Sequence, residues 1–442
     1  MRFTLAARAF PCDGDVRVLQ SLVPSLIARE FLPPLFHSPA SRRQALAVAS
    51  VVVFLAGAAR ALVGPPLGDE LVHFQQVQWF LAGRFELAPD LTTIPGLHAF
   101  VAAALHVLHL ESLAAARVIT MGFLLAAAWA FAGIRKRLAG SQDATLATAQ
   151  LMFLPILFPY GFLLYTDVPS VALVLWMFRL SLDGRHATAG ALGIAALGVR
   201  QTNVVWIGFI ALFDWCAMRP SMRSGRAWLA AARRLWPYAV PVAAFVLYWL
   251  WRGKISMSQA QAPAHPDFSL HTGNLFFMLA LAGLLFLPLM PTWLLRFVRA
   301  ARLRPLWWLL PALLALLYAT TFTADHPYNR IFPEYVLRNG VLMRVAEHGA
   351  AFVALGALAT VAGTALCQVR WLRPAGALLV PVSALFVCAS WLIEVRYYLI
   401  PFAFFNALRV FEDRRAETLM LLCWMPLSLL CLYGMLDFRF FL

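Results

Sequence analysis

The stretch Val118-Ile119-Thr120-Met121-Gly122-Phe123-Leu124-Leu125-Ala126-Ala127-Ala128-Trp129-Ala130-Phe131-Ala132 carries no charge and no alternation of apolar with polar residues. A barrel strand facing a wet lumen needs that alternation. A helix in lipid needs the opposite: about 20 apolar residues whose backbone groups bond within the segment. Extended to Ala114 and Ile134, this run is long enough to cross a bilayer, and Arg135-Lys136-Arg137 follows it directly. Of the 442 residues, 62% are hydrophobic and only 13% are charged. The fold class expected is an all-α polytopic membrane protein.

The formal net charge of +15 raises the question of a nucleic-acid partner. The positions of the basic residues answer it. They punctuate the apolar runs at Arg42-Arg43, Arg135 to Arg137, Arg219 to Arg234, Arg296 to Arg304, Arg370 to Arg373 and Arg409 to Arg415. Such spacing marks cytoplasmic loops under the positive-inside rule, so the partner expected is a lipid bilayer and no nucleic acid. Residues 1–44 contain charges and prolines without a continuous apolar core, unlike a cleavable signal peptide, and read as a cytoplasmic arm. Residues 45–442 read as one integral-membrane domain. The run from Ala45 to Val63 carries the chain across, and Asp69-Glu70 emerges on the outer or lumenal side.

Continuing along the chain, apolar runs such as Ala144 to Tyr165, Val204 to Met218, Val345 to Leu366 and Thr418 to Leu436 bring the expected total to about 11 to 14 transmembrane helices. The basic clusters then share one side. Polar, non-basic segments gather on the other: Gly64 to about Leu113, Tyr165-Thr166-Asp167, Arg200-Gln201-Thr202-Asn203, Arg252 to about Leu270, Thr323 to Arg344, and Glu394-Val395-Arg396-Tyr397-Tyr398.

Several of these residues have both a plain and a chemical reading. Asp69-Glu70 is either a solvated pair or a working site, because carboxylates beside a span must find water, a partner or a cavity. Asp167, followed by Val168-Pro169, suits a helix N-terminus, and it could equally converge with Asp69. Four consecutive polar residues from Arg200 to Asn203 are expensive at membrane depth unless shielded or facing a wet cavity. An arginine there suits a phosphate through paired donors, or it snorkels to headgroups, as do Arg330, Arg338, Arg344 and Arg396. The cluster His326-Pro327-Tyr328-Asn329-Arg330-Ile331-Phe332-Pro333-Glu334-Tyr335 reads as an interfacial aromatic belt or as a sugar or lipid-phosphate site. Leu97 to Leu110 is too short to span and suits an interfacial helix. Its His98, His106 and His109 lack the spacing and carboxylates of a metal site. The six cysteines show no paired spacing. Walker, dinucleotide, His-Glu-x-x-His and Gly-x-Ser-x-Gly motifs are all missing, which argues against ATP-driven transport and zinc proteolysis.

Taken in order, these segments resemble the dolichyl-phosphate-glucose-dependent α-1,2-glucosyltransferases, multi-span enzymes of the GT-C superfamily. These add the terminal glucose to the lipid-linked oligosaccharide of N-glycosylation. The matching stretches are Asp69-Glu70-x-x-His73 with Gln75-Gln76-x-Gln78, Thr92-Thr93-Ile94-Pro95-Gly96-Leu97, Leu164 to Asp167, and Val199-Arg200-Gln201-Thr202-Asn203. After them come Asn329-Arg330 with Tyr335-Val336 and Arg338, then Glu394-x-Arg396-Tyr397-Tyr398-Leu399-Ile400-Pro401. The chain departs from the family around Ala324-Asp325-His326-Pro327-Tyr328, where Ile331 replaces a histidine, and across Lys254 to Leu270.

The resemblance implies a GT-C-type fold with an outer first loop bearing the acidic motif. It implies inverting transfer of glucose or a related hexose from a polyprenyl- or dolichyl-phosphate sugar to a glycan or lipid-linked oligosaccharide hydroxyl, without metal or other cofactor. Asp69 is then the expected base, with Glu70 orienting it or bonding the acceptor. Arg200, Arg330, Arg396 and His326 are expected at the donor phosphate. His73, Gln76, Thr93, Asp167, Gln201, Asn203, Asn329, Tyr335, Glu394 and Tyr397 complete the expected binding residues. The membrane would be the endoplasmic reticulum in a eukaryote or the plasma membrane in a bacterium, with the site on the lumenal or periplasmic side. A transporter or flippase for a polyprenyl-linked sugar would need the same contacts but no base, and a scaffold would leave the ordered polar motifs unexplained.

Overall fold

The computed structural model describes residues 39–218, 224–258, 263, 266–267, 269–330 and 337–442. Among them lie seventeen α-helices joined by turns and short 3-10 segments, with no strand beyond one isolated bridge between Trp371 and Arg409. The protein is an all-α polytopic membrane protein. Contacts divide the chain after Leu55, so that residues from Ala56 onward form one unit. The expected arm at 1–44 lies almost wholly outside the described residues.

Among the described residues three helices are long and apolar enough to cross a membrane: Leu113–Ala139, Gly349–Leu366 and Arg414–Leu436. A fourth crossing is possible as a bent pair, Gly273–Leu285 with Leu287–Leu303, which turn by 74°. Their outer faces are apolar. Val118, Leu125 and Trp129 are exposed on the first, Val353 and Val361 on the second, and Leu419, Leu422 and Leu430 on the third, as a lipid-facing surface requires.

This is fewer continuous spans than the about 11 to 14 expected from hydropathy. The cause is interruption. The run Ala144 to Tyr165 is one apolar stretch in sequence, yet its helix, Ser141–Met152, stops ahead of Pro155, and a 3-10 turn at Pro159–Phe162 follows. Proline removes a backbone donor and clashes with the preceding turn. Residues 153–165 are buried throughout, and irregular backbone is tolerated at membrane depth where protein covers it. The apolar helices Gly96–Val107 and His186–Val199 are likewise short, as are those within 305–321 and 374–388.

The Leu113–Ala139 helix positions much of the rest. Ser112 caps its start by accepting the Ala115 N–H at 3.2 Å, and its last turn carries Lys136 and Arg137, which complement the helix dipole. It packs against Ser141–Met152 and Asp167–Leu182, and His186–Val199 packs on the far side of the latter. Where the segment between Gly64 and Leu113 meets the end of His186–Val199, Gly96 presses on Gly198. A Cβ on Gly96 would lie 2.5 Å from the Gly198 carbonyl oxygen, so only glycine allows this approach. Beneath the contact, Val77, Leu97, Val101, Leu105, Ala116, Leu164 and Val199 form one apolar cluster. Segments distant in sequence thereby meet at the same end of the molecule.

Candidate active site

Between the first described helix and the Glu70–Leu81 helix, the chain passes through Gly64-Pro65-Pro66-Leu67-Gly68-Asp69. Glu70 turns inward. Its Oε1 accepts from Arg117 Nε at 2.8 Å and from the Leu164 N–H at 2.7 Å. Its Oε2 accepts from Arg117 Nη2 at 2.5 Å and from the Leu67 N–H at 3.0 Å. Arg117 spends its other donors on the carbonyls of Ala61, Gly64 and Pro65. Both side chains are fully buried. A buried ion pair holds only when such additional hydrogen bonds satisfy it, and here they tie the loop to the start of the Leu113–Ala139 helix.

Asp69 turns outward. It occupies the N-cap position of the same helix without capping it, and 56% of its side chain is exposed. Its backbone N–H donates to the Tyr165 hydroxyl at 3.1 Å, while that hydroxyl donates to the Leu67 carbonyl at 2.8 Å. Gly68 makes room for this arrangement: its φ is +51°, and a Cβ there would stand 2.9 Å from the Tyr165 hydroxyl. The Asp69 carboxylate meets Arg396 Nη1 at 2.7 Å.

Arg396 is the hub of the site. It lies on the 3-10 turn Val395–Tyr398, 5.3 Å over the Tyr165 ring, with Glu394 at 3.4 Å and Asp167 at 3.9 Å in addition to Asp69. Asp167 is also paired with Arg200, and Glu394 with Arg338. Asn274 sets the turn. It donates to the Ser390 and Leu392 carbonyls and accepts from the Glu394 N–H and the Tyr398 hydroxyl. Within this cluster three buried atoms have no hydrogen-bond partner among the described residues: Asp167 Oδ2, Glu394 Oε1 and Arg396 Nε. Buried polar groups are normally satisfied, so a cluster of exceptions calls for an explanation such as a ligand or water.

Electrostatics keep the cluster charged. Crowding by protein pushes the Asp69 carboxyl upward, but Arg396 outweighs it, with a smaller pull from Arg200, and holds it below its ordinary value. Burial pushes Glu394 upward as well, and Arg338 and Arg396 outweigh that too. His73, one turn after Asp69, goes the other way. Burial takes it down to about 4 despite the attraction of Asp69. It is therefore neutral near pH 7, sharing a proton at 2.9 Å with His98.

The sequence model of the DIE2/ALG10 family matches residues 63–228 and 218–407, most of the chain and every residue of the Arg396 cluster. This chain belongs to the DIE2/ALG10 family. It is 30% identical over 166 residues to the mouse (Mus musculus) protein named Dol-P-Glc:Glc(2)Man(9)GlcNAc(2)-PP-Dol alpha-1,2-glucosyltransferase, covering 33% of this chain and 35% of that one. A protein of the same name from Arabidopsis thaliana is 30% identical over 172 residues, covering 34% and 33%. Another from Mycosarcoma maydis is 40% identical over 89 residues, covering 18% and 14%. The chain thus spans about a third or less of the length of these relatives.

Of the residues expected at the site of this family member, Asp69, Asp167, Arg200, Glu394 and Arg396 form one ion-pair network. Tyr397 lines a narrow crevice with Asp167, Arg200 and Arg396. Glu70, expected to touch Asp69 or an acceptor, is taken up by Arg117 instead. Three other polar residues serve the protein's own loops. Gln76 holds the Glu86 carbonyl and the Ala88 N–H, and Gln201 donates to the Thr92 and Ile255 carbonyls. Asn203 bonds Ser170 and the Ala196 carbonyl. Thr93 is buried with its hydroxyl unpartnered among the described residues.

The His326 segment connects to the hub through a chain of polar contacts. Tyr328 offers its carbonyl to Asn339, Asn339 bonds Arg338, and Arg338 pairs with Glu394. His326 is buried against Trp391 and accepts the Tyr328 N–H. Asn329 is buried with neither amide atom partnered among the described residues, and Arg330 is exposed. Tyr335 lies outside the described residues. Among those residues no group of three or more His, Cys, Asp or Glu is arranged around a metal-sized site. Sequence reasoning missed Arg117 and Asn274. Each is a lone polar residue near the start of an otherwise apolar helix, and that isolation was the available signal.

Proposed function

We propose that this family member is an inverting glucosyltransferase working at a membrane surface. In this reading it moves glucose from a polyprenyl-phosphate donor, dolichyl in a eukaryote, to a hydroxyl of a lipid-linked oligosaccharide and forms an α-1,2 linkage. The names of the relatives support the reaction class. One structural observation carries the residue assignment: Asp69 is the exposed carboxylate of the cluster, held by an arginine whose Nε has no hydrogen-bond partner among the described residues.

The acceptor oxygen attacks C1 of a β-linked sugar from the face opposite the phosphate. The C1–O bond to phosphate breaks, its electron pair leaves with the phosphate, and the acceptor proton passes to Asp69. Attack from the opposite face inverts the anomeric centre. Arg396 and Arg200 receive the charge that develops on the leaving phosphate, with Arg330 as a further donor from the segment between Thr323 and Arg344. A carboxyl held low is a weak base, since bases work best with a pKa near the operating pH. A donor phosphate that draws Arg396 toward itself would relieve that attraction, so Asp69 would gain basicity as the site fills. Glu70 acts indirectly in this reading, by fixing the loop that presents Asp69.

The Leu113–Ala139 helix supports a lumenal or periplasmic site. Arg117 and the Asp69 loop lie at one end, and Arg135-Lys136-Arg137 at the other. Under the positive-inside rule the Asp69 end is lumenal or periplasmic. The test is to incubate membranes containing the protein with radiolabelled polyprenyl-phosphate glucose and to analyse the extracted lipid. A labelled lipid-linked glycan with a new glycosidic bond is the expected product, lost with Asp69→Asn. Label that crosses the bilayer without a new bond would instead establish the flippase reading.

A further inference from the structure

A second polar site lies at the opposite end of the same long helix. Five segments converge there on an open cleft of ≈ 860 Å³: the ends of Leu113–Ala139 and Asp167–Leu182, the helices Val204–Met218 and Gly225–Arg252, and the 3-10 turn Pro374–Leu378 with Arg373 before it. Three guanidinium groups line it, from Arg137, Arg234 and Arg373, against one carboxylate, Asp214. Its apolar wall includes Leu182, Phe213 and Leu378.

The single carboxylate does not consume the three cations. Asp214 is buried and already bonded, to the Ser181 hydroxyl at 2.5 Å and the Tyr238 hydroxyl at 3.4 Å, with His186 at 3.3 Å. Arg234 reaches it only at 3.9 Å, and Arg137 stands 3.9 Å from Asp183, both at the edge of ion-pair range. Asp183 is also shared with Arg179 at 3.8 Å. Arg373 has no acidic partner among the described residues and is exposed. The cleft therefore presents an unsatisfied positive rim above an apolar wall.

Its depth in the membrane is set by helix geometry. Arg117 and Arg137 stand twenty residue steps apart on one continuous α-helix, about 30 Å at 1.5 Å per residue, which matches the thickness of a bilayer's hydrocarbon core. If Arg117 marks one interface, the cleft opens at the other, the basic side. Basic pockets between membrane helices on the cytoplasmic side are suited to anionic headgroups. We propose that this cleft binds an anionic phospholipid, with the phosphodiester between Arg137, Arg234 and Arg373 and an acyl chain along Leu182, Phe213 and Leu378. The site is independent of the transfer reaction.

The test is native mass spectrometry of the delipidated full-length protein mixed with equimolar phosphatidylglycerol and phosphatidylcholine, in the absence and presence of inorganic phosphate. Wild type should retain phosphatidylglycerol in preference to phosphatidylcholine. Arg137→Gln with Arg373→Gln should cut that preference roughly 10- to 30-fold, from about 1 kcal/mol per basic residue at a membrane surface. Arg137→Lys with Arg373→Lys should keep most of it. Arg137 is 62% exposed, so neither pair of changes disturbs a buried contact there. Arg415→Gln, an exposed arginine outside the cleft, should leave the preference intact. The proposal is overturned if the glutamine variant retains the wild-type preference, or if Arg415→Gln abolishes it equally. It is also overturned if inorganic phosphate displaces the lipid and binds in its place, since the site would then take free anions.

Discussion

Two arginine–carboxylate pairs begin one residue apart and end as opposites. At Arg117 and Glu70 no solvent reaches either side chain, and every carboxylate lone pair in use faces a named donor. At Arg396 and Asp69 the carboxylate is half open, and unpartnered atoms of Asp167, Glu394 and Arg396 surround it. The closed pair resists change because nothing within it waits for a partner. The open pair pays in unsatisfied groups for the capacity to meet one. Proximity in sequence therefore says little about role; the number of lone pairs left over says more.

Substitutions can break that contrast. Asp69→Asn removes the proposed base while keeping its shape, and transfer should fall roughly 100- to 10,000-fold with an unchanged melting temperature. Transfer near the wild-type rate would remove Asp69 from the mechanism. Glu70→Gln leaves Arg117 as a buried charge without its counter-ion, and losing one partner of a buried pair costs about 3–5 kcal/mol. Thermal unfolding of the solubilised protein should show it as a large drop. A Glu70→Gln protein with wild-type stability but lost activity would put Glu70 back among the reacting groups.

Arg396→Lys keeps a charge but loses the planar fork that reaches Asp69 and Glu394 together, and we expect about a 10- to 100-fold loss of turnover. It should also relax the main attraction that lowers Asp69, moving the acid limb of the pH–rate profile to higher pH. A limb that stays in place would show that another group sets the Asp69 carboxyl. The smallest effect concerns His73. Its folded value of about 4 lies below the ordinary 6.5, so the unfolded chain binds more protons between the two. Stability should be full above pH 6.5 and decline as the pH falls toward 4. His73→Gln should flatten that slope in a pH series of melting curves.

Much of this arrangement was legible in the sequence, and the reasons for the rest are physical. The Leu113–Ala139 helix announced itself, since a continuous uncharged run from Val118 to Ile134 ending at basic residues leaves few alternatives. The breaks did not. Hydropathy averages over Pro155 and Pro159, so a run that folds as a short helix and a buried turn looks like one span. Asp69, Asp167, Arg200, Glu394 and Arg396 stood out because polar residues between apolar runs need a reason to be there. What could not be read is which polar side chains the protein uses on itself. Gln76, Gln201 and Asn203 look the same in sequence whether they hold a sugar or a loop carbonyl. The difference is a direction in space, set by partners ten or more residues away in the first two cases. Asp69 and Glu70 separate for the same reason, because only the position of Arg117 tells which of them turns inward.

Gly68 extends this to genetics. It contributes no side chain to any substrate, yet a methyl group at its α-carbon would stand 2.9 Å from the Tyr165 hydroxyl and 3.2 Å from the Phe441 ring. A screen that collects inactive alleles would gather substitutions at Gly68 beside those at Asp69, and the two classes would look identical by phenotype. One class removes the proposed proton acceptor. The other shifts the shelf on which it stands, and a map of lost function drawn from alleles alone would count both as chemistry.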